Sequence, residues 1–157
     1  MTKTSAGILM YRVLDSGAPE VLLVHPGGPY WKNKDLGAWS IPKGEYTDEQ
    51  PLAAARREFF EETGFEVDGE FMPLQPIVQR GGKHVSAWAV EGTLDAEAVH
   101  SIEFEMEWPP RSGRMASFPE VEKAAWFPLR EALLKLNAAQ ASFVLQLAEQ
   151  LGISVEG

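Results

Sequence analysis

The stretch KGEYTDEQPLAAARREFFEETGF, residues 43–65, decides the reading of this chain. Pro51 suits the first position of a helix, because its missing N–H would have no partner there anyway. Gly64 suits the left-handed position that ends one. Between them Leu52, Ala55 and Phe59 fall on one face, which predicts a helix packed inward through that face. At 100° per residue, Glu61 lies about 60° to one side of Glu58 and Glu62 about 40° to the other. Three carboxylates therefore share one stripe. Like charges one turn apart destabilise a bare helix, and the negative end of the macrodipole adds to the cost. Two things offset it. Arg57 stands four residues before Glu61 and can pair with it, and hard divalent cations such as Mg2+ favour carboxylate oxygens. For a Glu-Glu pair alone, a solvated and salt-bridged helix face is the competing reading.

Working outward, residues 4–14 and 20–25 read as strands joined by a turn at Asp15-Ser16-Gly17. The Gly/Pro-rich segment PGGPYWKNKDLG is a loop, and AWSIP at 38–42 a short strand. Lys43 to Glu49 form a polar turn before the helix. FMPLQPIVQR and KHVSAWAVEG are two strands around Gly81-Gly82. IEFEMEW alternates apolar and acidic residues as a half-exposed strand does. PPRSGRMASFPE reads as a loop and AAWFPL as a further short strand. A last helix starts near Asn137, with Gln140 placed as in a capping box, and carries the apolar seam Phe143, Leu147, Leu151. Strands before, between and after the helices predict an α/β fold, a mixed β-sheet sandwiched between helices, as a single domain over residues 1–157.

The 157 residues include no cysteine, 45% hydrophobic and 24% charged residues, and a net charge of −9. The absence of thiols excludes disulfides and thiolate metal sites, and fits a reducing, cytoplasmic location. No run approaches the ~18 apolar residues that span a bilayer, so no membrane association is expected. Nonspecific nucleic-acid binding is not expected either, since it needs a basic stripe. An acidic chain that takes an anionic substrate needs local positive charge, which a bound cation supplies.

Gly44, Glu49, Arg57, Glu58, Phe59, Glu61, Glu62, Gly64 and Phe65 together resemble the Nudix box, G-x5-E-x7-R-E-U-x-E-E-x-G-U, where U is bulky and apolar. One position departs from it: four residues, not five, separate Gly44 from Glu49. The remaining spacing is intact, and a shortened turn before a helix is tolerable. The flanking strand order is also similar to Nudix domains. The resemblance implies a metal-dependent pyrophosphohydrolase that cleaves a nucleoside diphosphate linked to another moiety, such as a dinucleoside polyphosphate or a nucleoside triphosphate. Mg2+ or Mn2+ would be held by Glu58, Glu61, Glu62 and the Gly44 carbonyl. Arg57, with Glu49, would orient the carboxylates, and Glu61 would take part in catalysis.

Family members often draw a further glutamate from outside the box. Glu120 in FPEVEKAAWF is the first choice, on a spacing to Trp126 similar to that in dinucleoside polyphosphate hydrolases of the family. A solvated loop glutamate is the competing reading, and Glu103, Glu105 and Glu107 read as a solvated strand face. Lys43 and Lys83 are candidates to touch phosphates, with Lys32, Lys34 and Arg114 weaker ones. Tyr30 and Trp31 could stack on a base or anchor their loop by burial. Trp39 reads as core. The alternative function is a non-catalytic nucleotide-sensing or partner-binding module on the same fold, although such modules usually have a damaged box. An isoprenoid diphosphate isomerase is disfavoured because known members need a cysteine. The partner expected is a small nucleoside diphosphate derivative, and monomer and homodimer are both compatible with the sequence.

Overall fold

The computed structural model of the chain describes residues 3–155. Strands β1 (Thr4–Val13) and β2 (Pro19–Pro26) form an antiparallel pair around the turn at Asp15-Ser16-Gly17. Then come β3 (Lys43–Glu45), helix α1 (Pro51–Thr63), β4 (Met72–Pro73), β5 (Ile77–Gln79) and β6 (Lys83–Glu91). The ribbon β7 (Glu103–Glu107) and β8 (Met115–Pro119) precedes β9 (Val121–Pro128), and helices α2 (Leu129–Lys135) and α3 (Ala141–Leu151) close the chain.

Seven strands make one mixed sheet with the path β4-β6-β1-β2-β9, while β7 and β8 pair only with each other. The β1–β6 pairing is parallel and the other strand pairs are antiparallel. A strand covered on both faces reads as an apolar run, and β1 does so over Ala6, Ile8, Leu9 and Met10. On one face Ala6, Ile8, Met10 and Leu22 pack against Ala54, Ala55 and Phe59 of α1. On the other, Leu9, Val21 and Leu23 pack against Phe143, Val144 and Leu147 of α3, with Trp39 in the same cluster. The sandwich of sheet between helices follows from this two-sided burial. Among the described residues, no helix is long and apolar enough to cross a membrane.

One feature of the sheet positions the site. β2 pairs with β1 only at the β1 C-terminal end, Tyr11 to Val13, whereas β3 pairs with β1 at Ser5 to Gly7. The two long strands diverge, and residues 40–45 fill the opening. Ser40 exchanges both backbone hydrogen bonds with Val24, at 2.8 and 3.0 Å, and Ile8 N–H donates to the Pro42 carbonyl at 3.1 Å. Buried Gln140 clamps this wedge: its Oε1 accepts from Ile41 N–H at 2.9 Å, and its Nε2 donates to Ser40 Oγ and Gln79 Oε1.

Several local expectations are corrected. Lys43–Glu45 is a strand rather than the start of a turn, because β1 supplies its partners. AWSIP makes only isolated bridges, Val24 with Ser40 and Trp39 with Leu136. Pro73 and Pro76 interrupt the segment before Gly81, leaving two short strands, as ring nitrogens without a donor do. Met115–Pro119, read as loop, is a strand paired with β7. Asn137 caps the 3-10 turn Ala138–Gln140 through Ala139 N–H, and α3 starts after it, so there is no capping box: Gln140 faces the core instead. Trp39 is core, as expected, at 4% exposure. Glu103, Glu105 and Glu107 are exposed while Phe104 and Met106 turn inward, which is the solvated face that alternation suggested.

Replacing Gln140 by Leu keeps the volume but leaves Ile41 N–H buried without a partner. The expected cost is about 1–3 kcal/mol, read as a lowered urea midpoint with an unchanged denaturant slope.

Candidate active site

The N-cap residue of α1, Gln50, gives no side-chain bond, so Pro51 at the first turn does the work of starting the helix. Gly64 ends it at φ 80°, with its N–H on the Phe60 carbonyl. The carboxylates of the last two turns are held in different ways. Arg57 spreads its guanidinium over two of them and over Glu49, which precedes the helix. Nε and Nη2 grip Glu49 at 2.6 to 3.0 Å, while Nη1 donates to Glu58 Oε1 at 2.9 Å and to Glu61 Oε2. Glu49, and then Glu58 and Glu61, push the Arg57 pKa upward, and Arg57 in turn holds the exposed Glu49 below its ordinary value. Glu62 lies on the other side of the stripe and accepts from Lys43 N–H at 3.2 Å.

Gly44 sits directly against Glu58. A Cβ built on Gly44 would run into the Glu58 carboxyl group, so any larger residue there would push that carboxylate out of its present position. The short turn between Gly44 and Glu49 therefore still brings Gly44 onto the carboxylate stripe, because β1 fixes Gly44 opposite Ala6.

Glu120 reaches the same place through a backbone ladder. Ile102 N–H donates to the Glu61 carbonyl at 2.9 Å, Glu120 N–H donates to the Ile102 carbonyl at 2.9 Å, and Gly27 N–H donates to the Glu120 carbonyl at 2.9 Å. Glu120 is thus set between the end of α1 and the start of the 27–37 loop. Val24, Ser40, Lys43, Glu62, Glu120 and Val121 line one cleft of about 180 Å3 at the mouth of the opening between β1 and β2.

The electrostatics of the cleft are those of crowded carboxylates. Burial, and then Glu58 and Glu120, push Glu62 up to about 8. Burial and the charge of Glu61 also raise Glu120, and burial with Glu61 and Glu120 raises Glu58 against the pull of Arg57. Lys43 is lowered by burial first and by Lys83 second, while Glu62, Glu45 and Glu58 act the other way. Lys83 is close enough to act on Lys43, so both candidate phosphate contacts belong to one neighbourhood.

Tyr30 and Trp31 part company. Tyr30 is exposed and stacks edge-on against Trp108, with ring centroids 5.4 Å apart. Trp31 instead takes the Lys34 ammonium over its ring at 5.2 Å. Trp108 was not singled out in the sequence, since nothing local to it points to the 27–37 loop. It lines a second cleft, of about 320 Å3, with Gly28, Lys32, Phe118 and Glu122. Phe104 supports this wall: its ring is tilted against Phe118, and its tip approaches Gly28, whose φ of +96° suits glycine.

The fit to divalent cations rests on the donor set. All four facing side chains are carboxylates, which suits Mg2+ or Mn2+ better than softer metals. Burial first, and neighbouring carboxylates after it, hold Glu58, Glu62 and Glu120 above their ordinary values, which a bound cation would offset. Among the described residues no three such side chains already converge as a formed coordination sphere. Arg57 occupies one oxygen each of Glu58 and Glu61.

A carboxylate-rich helix end at the mouth of an opened mixed sheet, covered by helices on both faces, is the architecture of hydrolases acting on phosphoric anhydrides. The model of the NUDIX domain matches residues 1–147, and the chain belongs to that family, whose hydrolases generally use divalent cations such as Mg2+. No curated protein matches the chain by sequence. Among solved structures, the chain is similar to C. elegans Ap4A hydrolase in a binary complex (TM-score 0.66, 21% identity, covering 96% of this chain and 98% of that one). It is also similar to a mutT/nudix family protein from Listeria innocua (TM-score 0.62, 18% identity, 96% and 94% covered). The NUDIX domain of Shewanella oneidensis NrtR, complexed with ADP ribose, is a third (TM-score 0.58, 19% identity, 96% and 86% covered). At such identities the likeness is one of fold.

The pKa of Glu62 yields a prediction. Between its ordinary value of 4.5 and about 8 the folded chain keeps a proton that the unfolded chain has lost. Metal-free protein is therefore expected to lose stability as pH rises through that window. The loss should be shallower in Glu62→Gln. Thermal melts in a chelator across the window test this, and identical pH slopes in the two proteins would show that Glu62 is not the group responsible.

Proposed function

We propose that the chain hydrolyses the phosphoric anhydride of a nucleoside diphosphate linked to another moiety, a dinucleoside polyphosphate, a nucleoside triphosphate or a similar compound, by attack of water on phosphorus. The observation that carries this reading is the convergence of Glu62, Glu120 and Lys43 on one cleft beside the Arg57-held stripe. The names of two structural neighbours, an Ap4A hydrolase and a domain complexed with ADP ribose, support a nucleotide derivative as substrate.

Glu58, Glu61, Glu62 and the carbonyl of Gly44 would hold Mg2+ or Mn2+. Bound there, the cation supplies charge neutralisation and Lewis acidity to the diphosphate. Arg57 is a positioning residue. It fixes Glu58 and Glu61 in direction and keeps the stripe from repelling itself apart. Lys43, half-buried behind the cleft, and Lys83 beside it meet phosphate oxygens. Glu120 takes the proton of the attacking water at its carboxylate. Its raised pKa moves it toward the range where a general base works at neutral pH. Tyr30, braced by Trp108, gives a nucleobase a face to stack on. Trp31, engaged by Lys34, contributes to holding the loop.

Glu61→Gln and Glu62→Gln are expected to remove most turnover while the fold persists, because each amide keeps the shape and loses the charge. Glu120→Gln should lower kcat by roughly 10²–10⁴-fold with little change in KM. Steady-state assays over a nucleotide panel in Mg2+ or Mn2+, with products from isotopically labelled water analysed by mass, read both outcomes and the phosphorus attacked. Nucleotide binding without hydrolysis in either metal would replace this reading with a nucleotide-sensing module.

A further inference from the structure

The second cleft carries more than a stacking surface. Its walls are aromatic and apolar, Trp108 and Phe118 with Gly28, but two charged side chains also line it: Lys32 and Glu122. Glu122 is not an ordinary surface glutamate. Its side chain is 43% exposed, yet Oε2 lies 3.1 Å from Nδ1 of His25, whose ring is 1% exposed. His25 itself is fixed on both sides, with Nε2 at 2.6 Å from the Lys34 carbonyl and Nδ1 at 2.9 Å from the Pro26 carbonyl. Its ring also meets Trp39 edge-on at 5.2 Å. A buried imidazole thus lies against a carboxylate that lines an aromatic cleft.

The cleft adjoins the carboxylate cleft. Gly27 and Pro119 line the aromatic side, Pro26 and Glu120 the acidic side, and the bond from Gly27 N–H to the Glu120 carbonyl joins them. A ligand whose planar base sits in the first places its diphosphate at the second. This step rests on the function proposed above.

We propose that Glu122 and Lys32 select the base, and that the base is guanine. A carboxylate is an acceptor at both oxygens and cannot donate. It is best matched by two adjacent N–H donors. Among the common bases guanine alone has them, at N1 and the N2 amino group, while its O6 and N7 are acceptors that suit the ammonium of Lys32. Adenine and cytosine place a ring nitrogen lone pair beside their single amino group, and that lone pair repels the second carboxylate oxygen. Uracil and thymine place carbonyls on both sides of their one N–H. Glu122 is therefore a specificity residue: it touches the base and takes no part in bond breaking.

The test uses the full chain with Mg2+ and the mononucleotides GMP, IMP and AMP, which have no anhydride to lose. Calorimetry is expected to show GMP binding about tenfold or more tighter than AMP, as one bidentate contact allows, with IMP between them because it lacks the N2 amine. Glu122→Gln should erase the preference for GMP over AMP. Lys32→Gln, on the exposed rim where folding is not at risk, should weaken GMP more than AMP. Tyr30→Ala should weaken all three alike. AMP binding as tightly as GMP, no measurable binding of GMP at millimolar concentration, or an unchanged ratio in folded Glu122→Gln would overturn the proposal. The two readings fail separately. Hydrolysis without base preference removes this inference alone, and guanine-selective binding without hydrolysis of any anhydride removes the hydrolase reading alone.

Discussion

The guanidinium of Arg57 is the contact on which the site depends. Three carboxylates on the last two turns of a helix repel one another and the helix dipole, and burial against a sheet makes each charge costlier still. A single planar cation with donors in a fixed fork can serve several carboxylates at once, which a lysine cannot. Arg57 does so by leaning back on Glu49 with two of its nitrogens and forward on Glu58 and Glu61 with the third. Glu62, out of its reach, is pushed up by its burial first and by Glu58 and Glu120 after it, to about 8. The division is useful chemically: part of the stripe is paired and oriented by Arg57, and Glu62 is left toward the cleft without that pairing, where a bound cation would favour its ionised form.

The sheet makes room for this helix end by failing to close. If β2 ran beside β1 along its whole length, residues 40–45 would have no place between them, and Lys43 and Gly44 would not face Glu62 and Glu58. Gln140, contributed from the far end of the chain, replaces the backbone partner that a neighbouring strand would have given Ile41. A core glutamine is thereby tied to the position of a lysine that meets the cleft.

Much of this was legible in the sequence because it is local. Pro51, Gly64 and the spacing of Glu58, Glu61 and Glu62 define the helix and its charged stripe without any knowledge of the rest. The two-sided burial of β1 shows as a run of apolar residues. What was not legible depends on partners distant in sequence. Met115–Pro119 has little strand propensity of its own and becomes a strand because β7 lies beside it. Lys43–Glu45 likewise becomes one through β1. The aromatic beside Tyr30 is Trp108 rather than the adjacent Trp31, since a folded ribbon, not chain order, brings it there. Glu120 was reached by family likeness, while the ladder through Ile102 that seats it has no sequence signature, and Glu122 becomes notable only once His25 is seen beneath it.

The ladder from Glu61 through Ile102 to Glu120 also fixes when the site can exist. During synthesis the acidic helix emerges well before the segment that forms its opposite wall, and until β9 has docked on β2 there is no cleft for a polyanion to enter. A nascent or partly unfolded chain thus presents the carboxylate stripe as no more than a charged surface. If the cleft takes the substrate as proposed, competence arrives with the last third of the polypeptide, and a lesion far from the helix that delays the docking of β9 would read out as lost activity.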